Sequence, residues 1–146
     1  MKVRSAEPRD FDDVTSLLEE LGRATVTDDT RDRCREIYAA QVSDPGSDHL
    51  IAENDDGEIV GFCSLHFRNR LNHPTPQAWV PDLIVREQLR GSGVGQALLS
   101  HAESRAIDRG CWEITLESAH HRREAHRFYG LFGMRDAGLF FRKLLG

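Results

Sequence analysis

The sequence has no apolar run long enough to cross a membrane, because its longest uninterrupted run covers only residues 37–40. The first four residues, Met-Lys-Val-Arg, also lack the apolar stretch of a secretion signal. Its 3 cysteines are widely spaced and include no Cys-x-x-Cys pair, which argues against a disulfide framework and a zinc knuckle. We therefore expect a cytoplasmic protein with reduced thiols and no membrane partner.

Basic residues are fewer than acidic ones, with 19 lysines and arginines against 24 aspartates and glutamates, and the net charge is -5. Without an overall basic field, a nucleic-acid partner is not expected. The 7 histidines include no His-x-x-x-His pair, so no metal site is expected either. A chain of 146 residues with 39% hydrophobic content is enough for one domain with its own core, and we predict a single domain over residues 1–146.

Hydrophobic periodicity predicts a mixed α/β domain with helices on both faces of a sheet. Helices are predicted to begin at residue 8 and to span 30–42, 92–109 and 123–132. Strands are predicted at 2–6, 50–52, 59–66, 77–85, 112–116 and 138–144. Within them, Gly61 indicates a close approach or a bulge, and Pro81 has no N–H to donate to a neighbouring strand. We therefore expect strand pairing to be interrupted at Pro81.

The segment 83–99 has the pattern of a strand, a turn and a helix, and its turn carries Gly91, Gly93 and Gly95. Glycines let a backbone approach a ligand closely, and the unpaired amides at a helix start attract anions. We expect a phosphate or diphosphate here, with help from Arg90. The dinucleotide fingerprint would need a glycine in place of Gln96, and a P-loop would need a lysine. The alternative is a turn that only packs the helix on the sheet.

Two motifs in this order resemble the GCN5-related N-acetyltransferase (GNAT) superfamily. The first is Arg-Gly-Ser-Gly-Val-Gly at 90–95, and the second is Ala-His-Arg-Phe-Tyr at 125–129, followed by Gly-Met at 133–134. Within the superfamily, segments 61–72 and 120–129 are similar to the aminoalkylphosphonate N-acetyltransferase group. The resemblance implies a mixed, mainly antiparallel sheet with splayed fourth and fifth strands.

The resemblance also implies that acetyl-CoA is the acetyl donor and pairs with the edge of the fourth strand. Amides of the glycine turn would hold its diphosphate, and the later motif would flank the thioester. An asparagine usual in the family is Arg122 in this chain. The implied cofactor residues are Leu83, Ile84, Val85, Arg90, Gly91, Ser92, Gly93, Val94, Gly95, Gln96, Arg122, Ala125, Phe128 and Tyr129.

Acyl transfer to an amine requires a proton acceptor, because an amine with a pKa near 10.4 is almost entirely protonated at pH 7. Many family members have a glutamate where this chain has Pro81, so the resemblance does not identify the catalytic base. Asp82 is the nearest carboxylate, and Glu117, His66 and His120 are the alternatives.

The departing thiolate needs a proton donor, and the resemblance favours Tyr129. The predicted acceptor is the primary amine of a small molecule, such as an aminoalkylphosphonate or a polyamine, attacking directly rather than through Cys63 or Cys111. His66, Arg68 and Arg70 are the predicted acceptor-binding residues. A homodimer is the family-level expectation. A non-catalytic sensor of CoA and a domain binding another nucleotide are the competing functions.

Overall fold

The computed structural model describes residues 1–146, which group into two compact units, 1–116 and 117–146. We describe each unit by itself. The first unit contains helices α1 (Phe11–Glu20), α2 (Arg31–Ser43) and α3 (Val94–Asp108). Its strands are β1 (Lys2–Ser5), β2 (Leu50–Glu53), β3 (Ile59–Cys63), β4 (His66–Arg68), β5 (Gln77–Trp79), β6 (Leu83–Val85) and β7 (Ile114–Thr115). The second unit contains helix α4 (Arg123–Leu131).

The strands of the first unit form two sheets. One has the order β1-β2-β3-β6 and is antiparallel throughout, and the other has the order β4-β5-β7. Strand β5 pairs antiparallel with β4 and parallel with β7. This mixed, mainly antiparallel arrangement confirms the predicted fold class.

Helices cover both faces of the four-stranded sheet, as predicted. Apolar residues of α1 and α2 form one core cluster with Ile51, Phe62 and Ile84. A row of small and apolar residues on α3 packs with strand residues in the other cluster; the row is Val94, Leu98, Ala102 and Ala106. The predicted close approach at Gly61 is confirmed, since a Cβ atom there would lie 2.9 Å from Leu98 Cδ1.

Several predicted strands are shorter or divided in the structure. The strands predicted at 59–66 and 77–85 are each split into two, and the strand predicted at 112–116 is only two residues long. The strand predicted at 138–144 is wrong, because residues 135–146 contain neither helix nor strand. Apolar residues in this segment are adjacent rather than alternating, so they define no buried strand face. Ile37, an apolar residue of α2, is 42% exposed.

Three helices end in glycines with left-handed backbone conformation. Gly22 (φ 93°), Gly110 (φ 72°) and Gly133 (φ 95°) follow α1, α3 and α4. In α1 the amide of Arg23, the next residue, donates to Leu18 O at 3.0 Å, which is the long bond of a Schellman motif. The motif fixes the backbone of Arg23 at the end of α1.

A cluster of ion pairs joins β1, β2 and the start of α1. The Arg4 guanidinium donates two bonds of 2.8 Å to the Asp10 carboxylate and one of 2.7 Å to Glu53. Asp10 also accepts the Glu7 amide at 2.8 Å. Burial alone would raise the pKa of Asp10, but Arg4 and the Glu7 amide hold that pKa below its usual range. The cluster is a buried link between elements far apart in the chain.

His49 is a buried neutral histidine. It is 3% exposed, its Nδ1 accepts the Leu65 amide at 3.0 Å, and its Nε2 lies 2.9 Å from Gln41 Oε1. Because Nδ1 accepts, the ring proton is on Nε2 and donates to Gln41. Burial lowers the pKa of His49 to about 4.

We expect the free energy of unfolding to fall as the pH falls from about 6.5 to 4. His49 has a pKa near 6.5 in the unfolded chain, so the unfolded state binds its proton first. The contribution of neutral His49 is fully present above pH 6.5, and its loss costs about 3 kcal/mol by pH 4. Urea unfolding at several pH values measures this slope. A His49→Asn variant is expected to flatten it, and an unchanged slope in that variant would exclude His49 as its source.

Candidate active site

Strand pairing is interrupted between β5 and β6, at Pro81. Before the break, Ala78 and Val80 donate their amides to Glu113 O at 2.9 Å and Thr115 O at 2.8 Å. The next amide on this side is that of Asp82, which donates to Ser64 Oγ instead, so pairing with β7 ends after Val80. Pro81 has no N–H to offer the neighbour on the other side. Strand β6 is then the edge of the four-stranded sheet. The interruption predicted at Pro81 is therefore confirmed.

Side chains satisfy the polar backbone groups at the break. Ser64 Oγ accepts the Asp82 amide at 2.8 Å, and the Ser64 amide donates to Asp82 O at 2.9 Å. Arg23 Nη2 donates to Pro81 O at 3.1 Å. The break is thus a bonded feature of the fold rather than a frayed strand end.

The register of β6 shows which of its backbone groups face outward. Ser64 pairs with Asp82, and the Arg86 amide donates to Val60 O at 2.9 Å, so both ends of β6 are hydrogen-bonded to β3. Since bonded and non-bonded pairs alternate in antiparallel sheets, Ile84 faces β3, while Leu83 and Val85 face the open edge.

Of the three strand residues predicted for the cofactor site, Leu83 and Val85 therefore have backbone groups that face a possible ligand. Arg90 Nε lies 3.4 Å from Val85 O, so this exposed side chain covers part of the edge. Ile84 is different, because its side chain is 4% exposed and its backbone faces β3. We do not retain Ile84 in the site.

The glycine turn leads into α3, which begins at Val94 rather than at the predicted residue 92. Gly91 and Gly93 have φ of 83° and 94°, which a side chain would oppose. The amides of Arg90 and Ser92 donate to Glu87 O and Leu89 O, both at 3.2 Å, so the turn itself uses these two donors. Sequence reasoning had included both among the donors available to the diphosphate.

The other amides of the turn have no acceptor within the protein. The first amide bonded back to the start of α3 is that of Ala97, which donates to Gly93 O at 3.0 Å. An N-terminus of a helix of 15 residues adds the positive end of its dipole. This donor set matches a phosphate or diphosphate. The available amides are those of Gly91, Gly93, Val94, Gly95 and Gln96.

Asp82 places a carboxylate at the break. Its Oδ1 accepts Arg23 Nε at 2.8 Å, and its Oδ2 lies 3.4 Å from Ser64 Oγ. The side chain is 20% exposed. A carboxylate offers about four lone-pair positions, so Asp82 can still accept from a bound molecule.

Next to the break, β4 and β5 carry an aromatic surface that the sequence analysis did not identify. His66 pairs with Trp79, with ring centroids 5.4 Å apart, and the Arg68 guanidinium lies 4.6 Å from the Trp79 ring centroid. Burial lowers the pKa of His66, which is therefore neutral at pH 7. The sequence feature that could have revealed this surface is Trp79, which lies two residues before Pro81.

The second unit carries the later motif on α4. The rings of Phe128 and Tyr129 lie 5.5 Å apart, and Tyr129 O accepts the Met134 amide at 3.0 Å beyond the end of the helix. Arg122 immediately precedes the helix, and Ala125 lies in its first turn. Glu117 and His120 are exposed residues before α4.

The sequence model of the Acetyltransferase (GNAT) family matches residues 11–134. This chain belongs to the GNAT family. Its relative from Salmonella typhimurium, an aminoalkylphosphonate N-acetyltransferase, is 32% identical over 99% of this chain and 91% of the relative. A second relative, aminoglycoside N(6')-acetyltransferase type 1 of Stenotrophomonas maltophilia, is 32% identical over 56% of this chain and 55% of the relative's length.

Solved structures of similar fold agree with the GNAT assignment. A putative acetyltransferase from Agrobacterium tumefaciens matches with a TM-score of 0.84 at 24% identity, covering 98% of this chain and 100% of its own. A transcriptional regulator from Bacillus halodurans matches with a TM-score of 0.90 at 23% identity, covering 99% of each chain. GNAT acetyltransferases use acetyl-CoA as acetyl donor, and the unpaired amides of the turn fit its diphosphate.

In this GNAT chain, Arg70 lies apart from His66 and Arg68, the other two predicted acceptor-binding residues. His66 and Arg68 flank Trp79, whereas Arg70 lies in the loop after β4. It lines a cleft of about 250 Å³ in which His73 stacks on Trp112 at a centroid distance of 4.2 Å. The other lining residues are Asn72, Gln77 and Glu113.

Two of the three cysteines of this GNAT chain, Cys63 and Cys111, are poor nucleophiles. Cys63 is fully buried, and burial raises the pKa of its thiol to about 12. Burial also raises the pKa of Cys111. Both thiols are therefore protonated at pH 7, in keeping with direct attack by the acceptor.

None of the helices has the length and apolar character of a bilayer crossing.

Proposed function

We propose that this GNAT enzyme transfers the acetyl group of acetyl-CoA to the primary amine of a small molecule, by direct attack in a ternary complex. The observation that carries the proposal is the set of unpaired amides at the start of α3, next to an open strand edge. We also infer that residues 1–146 act as one acetyltransferase domain, since the family match spans both compact units.

In this proposal the backbone binds the donor. Amides of Gly91 and of residues 93–96 receive the diphosphate, and the outward groups of Leu83 and Val85 pair with the amides of pantetheine. Arg90, Ser92, Arg122, Ala125 and Phe128 remain proposed contacts of the donor through their side chains. Backbone binding of this kind fixes the donor without relying on long, mobile side chains.

We assign the proton acceptor to Asp82, because it is the carboxylate at the strand break. The ammonium group of the acceptor loses a proton to Asp82, and its nitrogen lone pair attacks the thioester carbon. The C–N bond forms, the C–S bond breaks, and Tyr129 donates its hydroxyl proton to the thiolate. Glu117, His66 and His120 are the alternative bases.

We further propose that the acceptor is an aminoalkylphosphonate rather than a polyamine. The relative from Salmonella typhimurium carries that name and is matched along nearly its whole length. Arg68, held at 2.7 Å by Gln77 Oε1, presents a cation beside Trp79 and His66 that suits a phosphonate. A polyamine has no anionic group for Arg68 to bind.

Release of free thiol from acetyl-CoA tests the proposal with a panel of amines. The expected result is the highest kcat/KM for an aminoalkylphosphonate, a lower value for the matching aminoalkyl carboxylate, and the lowest for a polyamine. Arg68→Gln should remove most of the phosphonate preference, and Arg70→Gln less of it. Binding of acetyl-CoA without thiol release for any amine would favour a non-catalytic sensor.

Two expectations from the sequence stay predictions. A homodimer would be recognised by sedimentation of the purified protein at several concentrations. Cytoplasmic localisation would be recognised by fractionation of cells expressing the full chain.

A further inference from the structure

The last turn of α1 is bonded to the residues that follow β6. Glu20 accepts Arg86 Nη1 at 2.8 Å with one oxygen and the Glu87 amide at 3.0 Å with the other. Arg86 also donates to Ser16 Oγ at 3.1 Å, one turn earlier in the helix. Arg86 and the Glu87 amide hold the pKa of Glu20 below its usual range. One end of β6 is thus tied to α1 by a charged pair.

Arg23, three residues after the end of α1, is bonded to the other end of β6. Arg23 donates to the Asp82 carboxylate at 2.8 Å and to Pro81 O at 3.1 Å, so one guanidinium binds both residues at the break. Its backbone is fixed by the Schellman motif at Gly22, where φ is 93°. Arg23 therefore binds the break from a fixed position on α1.

These contacts add to the core packing of Ile84, and they matter because the backbone of β6 is hydrogen-bonded on one side only. The strand is only three residues long and has a hydrogen-bonded neighbour on one side, β3. Short edge strands open more easily than central ones, because few bonds must break. The outward groups of Leu83 and Val85 can bind a ligand only while β6 keeps its register.

We propose that Glu20 and Arg23 are positioning residues that hold the two ends of β6 in the geometry that binds acetyl-CoA. We call these two residues the α1 bracket. The inference rests on the proposed function, since it assigns the bracket to the same donor site. Neither residue needs to touch the donor, because each acts through a residue that flanks β6.

A double variant, Glu20→Ala with Arg23→Ala, tests the bracket. The matched control is Arg33→Ala with Glu36→Ala, which removes the same two charges from an exposed pair on α2, 3.2 Å apart. Two measurements are made on the full chain: the Kd for CoA by calorimetry, and hydrogen exchange of backbone amides without ligand. The exchange reporters are the Ser64 amide, which donates to Asp82 O before β6, and the Arg86 amide, which follows β6 and donates to Val60 O of β3. The reference is the Ala6 amide, which donates to His49 O.

The bracket variant is expected to raise the Kd for CoA about tenfold, as when a binding geometry is populated a tenth of the time. The Ser64 and Arg86 amides should exchange at least tenfold faster, because a strand that is mostly closed in the unmodified protein would be mostly open in the variant. The Ala6 amide and the control variant should be unchanged. Arg23→Lys, which keeps one donor group, should recover part of both effects. If Ser64 and Arg86 exchange as in the unmodified protein, the bracket is refuted.

The two readouts separate this inference from the proposed function. Unmodified protein that fails to bind CoA would refute the donor site, while faster exchange in the bracket variant would still show that α1 holds β6. Faster exchange with an unchanged Kd for CoA would refute the positioning role itself. Equal exchange changes in the bracket variant and the control would also refute it, because the effect would then be one of charge alone.

Discussion

Replacing Tyr129 by phenylalanine is expected to lower kcat by about 10²- to 10⁴-fold, the usual worth of a positioned acid. The substitution keeps the ring next to Phe128 and removes only the hydroxyl that we assign as proton donor to the thiolate. KM for acetyl-CoA should change little, because the hydroxyl is needed in the transition state rather than for binding. Thiol release at saturating substrates measures the effect.

A second tyrosine provides a matched control for this prediction. Tyr38 on α2 is buried and donates its hydroxyl to Glu7 O at 2.7 Å. Tyr38→Phe should cost about 1 kcal/mol of stability by losing that bond and leave kcat unchanged. Turnover of the Tyr129→Phe variant equal to that of the unmodified enzyme would remove Tyr129 from the acid role.

Replacing Asp10 by alanine is expected to reduce the free energy of unfolding by about 3 to 5 kcal/mol. The Asp10 side chain is 3% exposed and the Arg4 side chain 12% exposed, so the substitution leaves a mostly buried cation with one remaining carboxylate partner, Glu53. It also leaves the Glu7 amide without its acceptor. Urea unfolding at pH 7 measures the loss.

Removing both partners should cost less than removing one. In a double variant, Arg4→Met with Asp10→Leu, apolar packing replaces the buried pair, and Glu53, the carboxylate that loses Arg4, is 19% exposed and keeps contact with water. An Asp10→Ala loss below 1 kcal/mol, or a larger loss in the double variant, would show that the cluster does not stabilise the fold in this way.

Local patterns in the sequence predicted much of this structure. The apolar face of α1 and the small-residue row of α3 follow helical spacing, so they could be recognised without knowing what they pack against. A proline inside a predicted strand, Pro81, was enough to predict an interruption of pairing, and the left-handed turns follow from glycine. Each of these features depends on a few consecutive residues.

The remaining features depend on contacts between distant residues. Arg23 and Asp82 are 59 positions apart, and no spacing rule connects them. The pairing of His66 with Trp79 follows from strand register, which the sequence did not specify. The Ser92 amide donates to Leu89 O because of the shape of the turn. The sequence alone could not show this shape, and so it could not show which amides remain available to a ligand.

The central claim is that main-chain donors at the start of α3 bind the diphosphate of acetyl-CoA. A crystal structure of the protein with CoA tests it most directly. We expect diphosphate oxygens within hydrogen-bond distance of the amides at residues 93–96, with pantetheine along the outward edge of Leu83 and Val85. CoA bound elsewhere, or a turn that stays empty at saturating CoA, would contradict it.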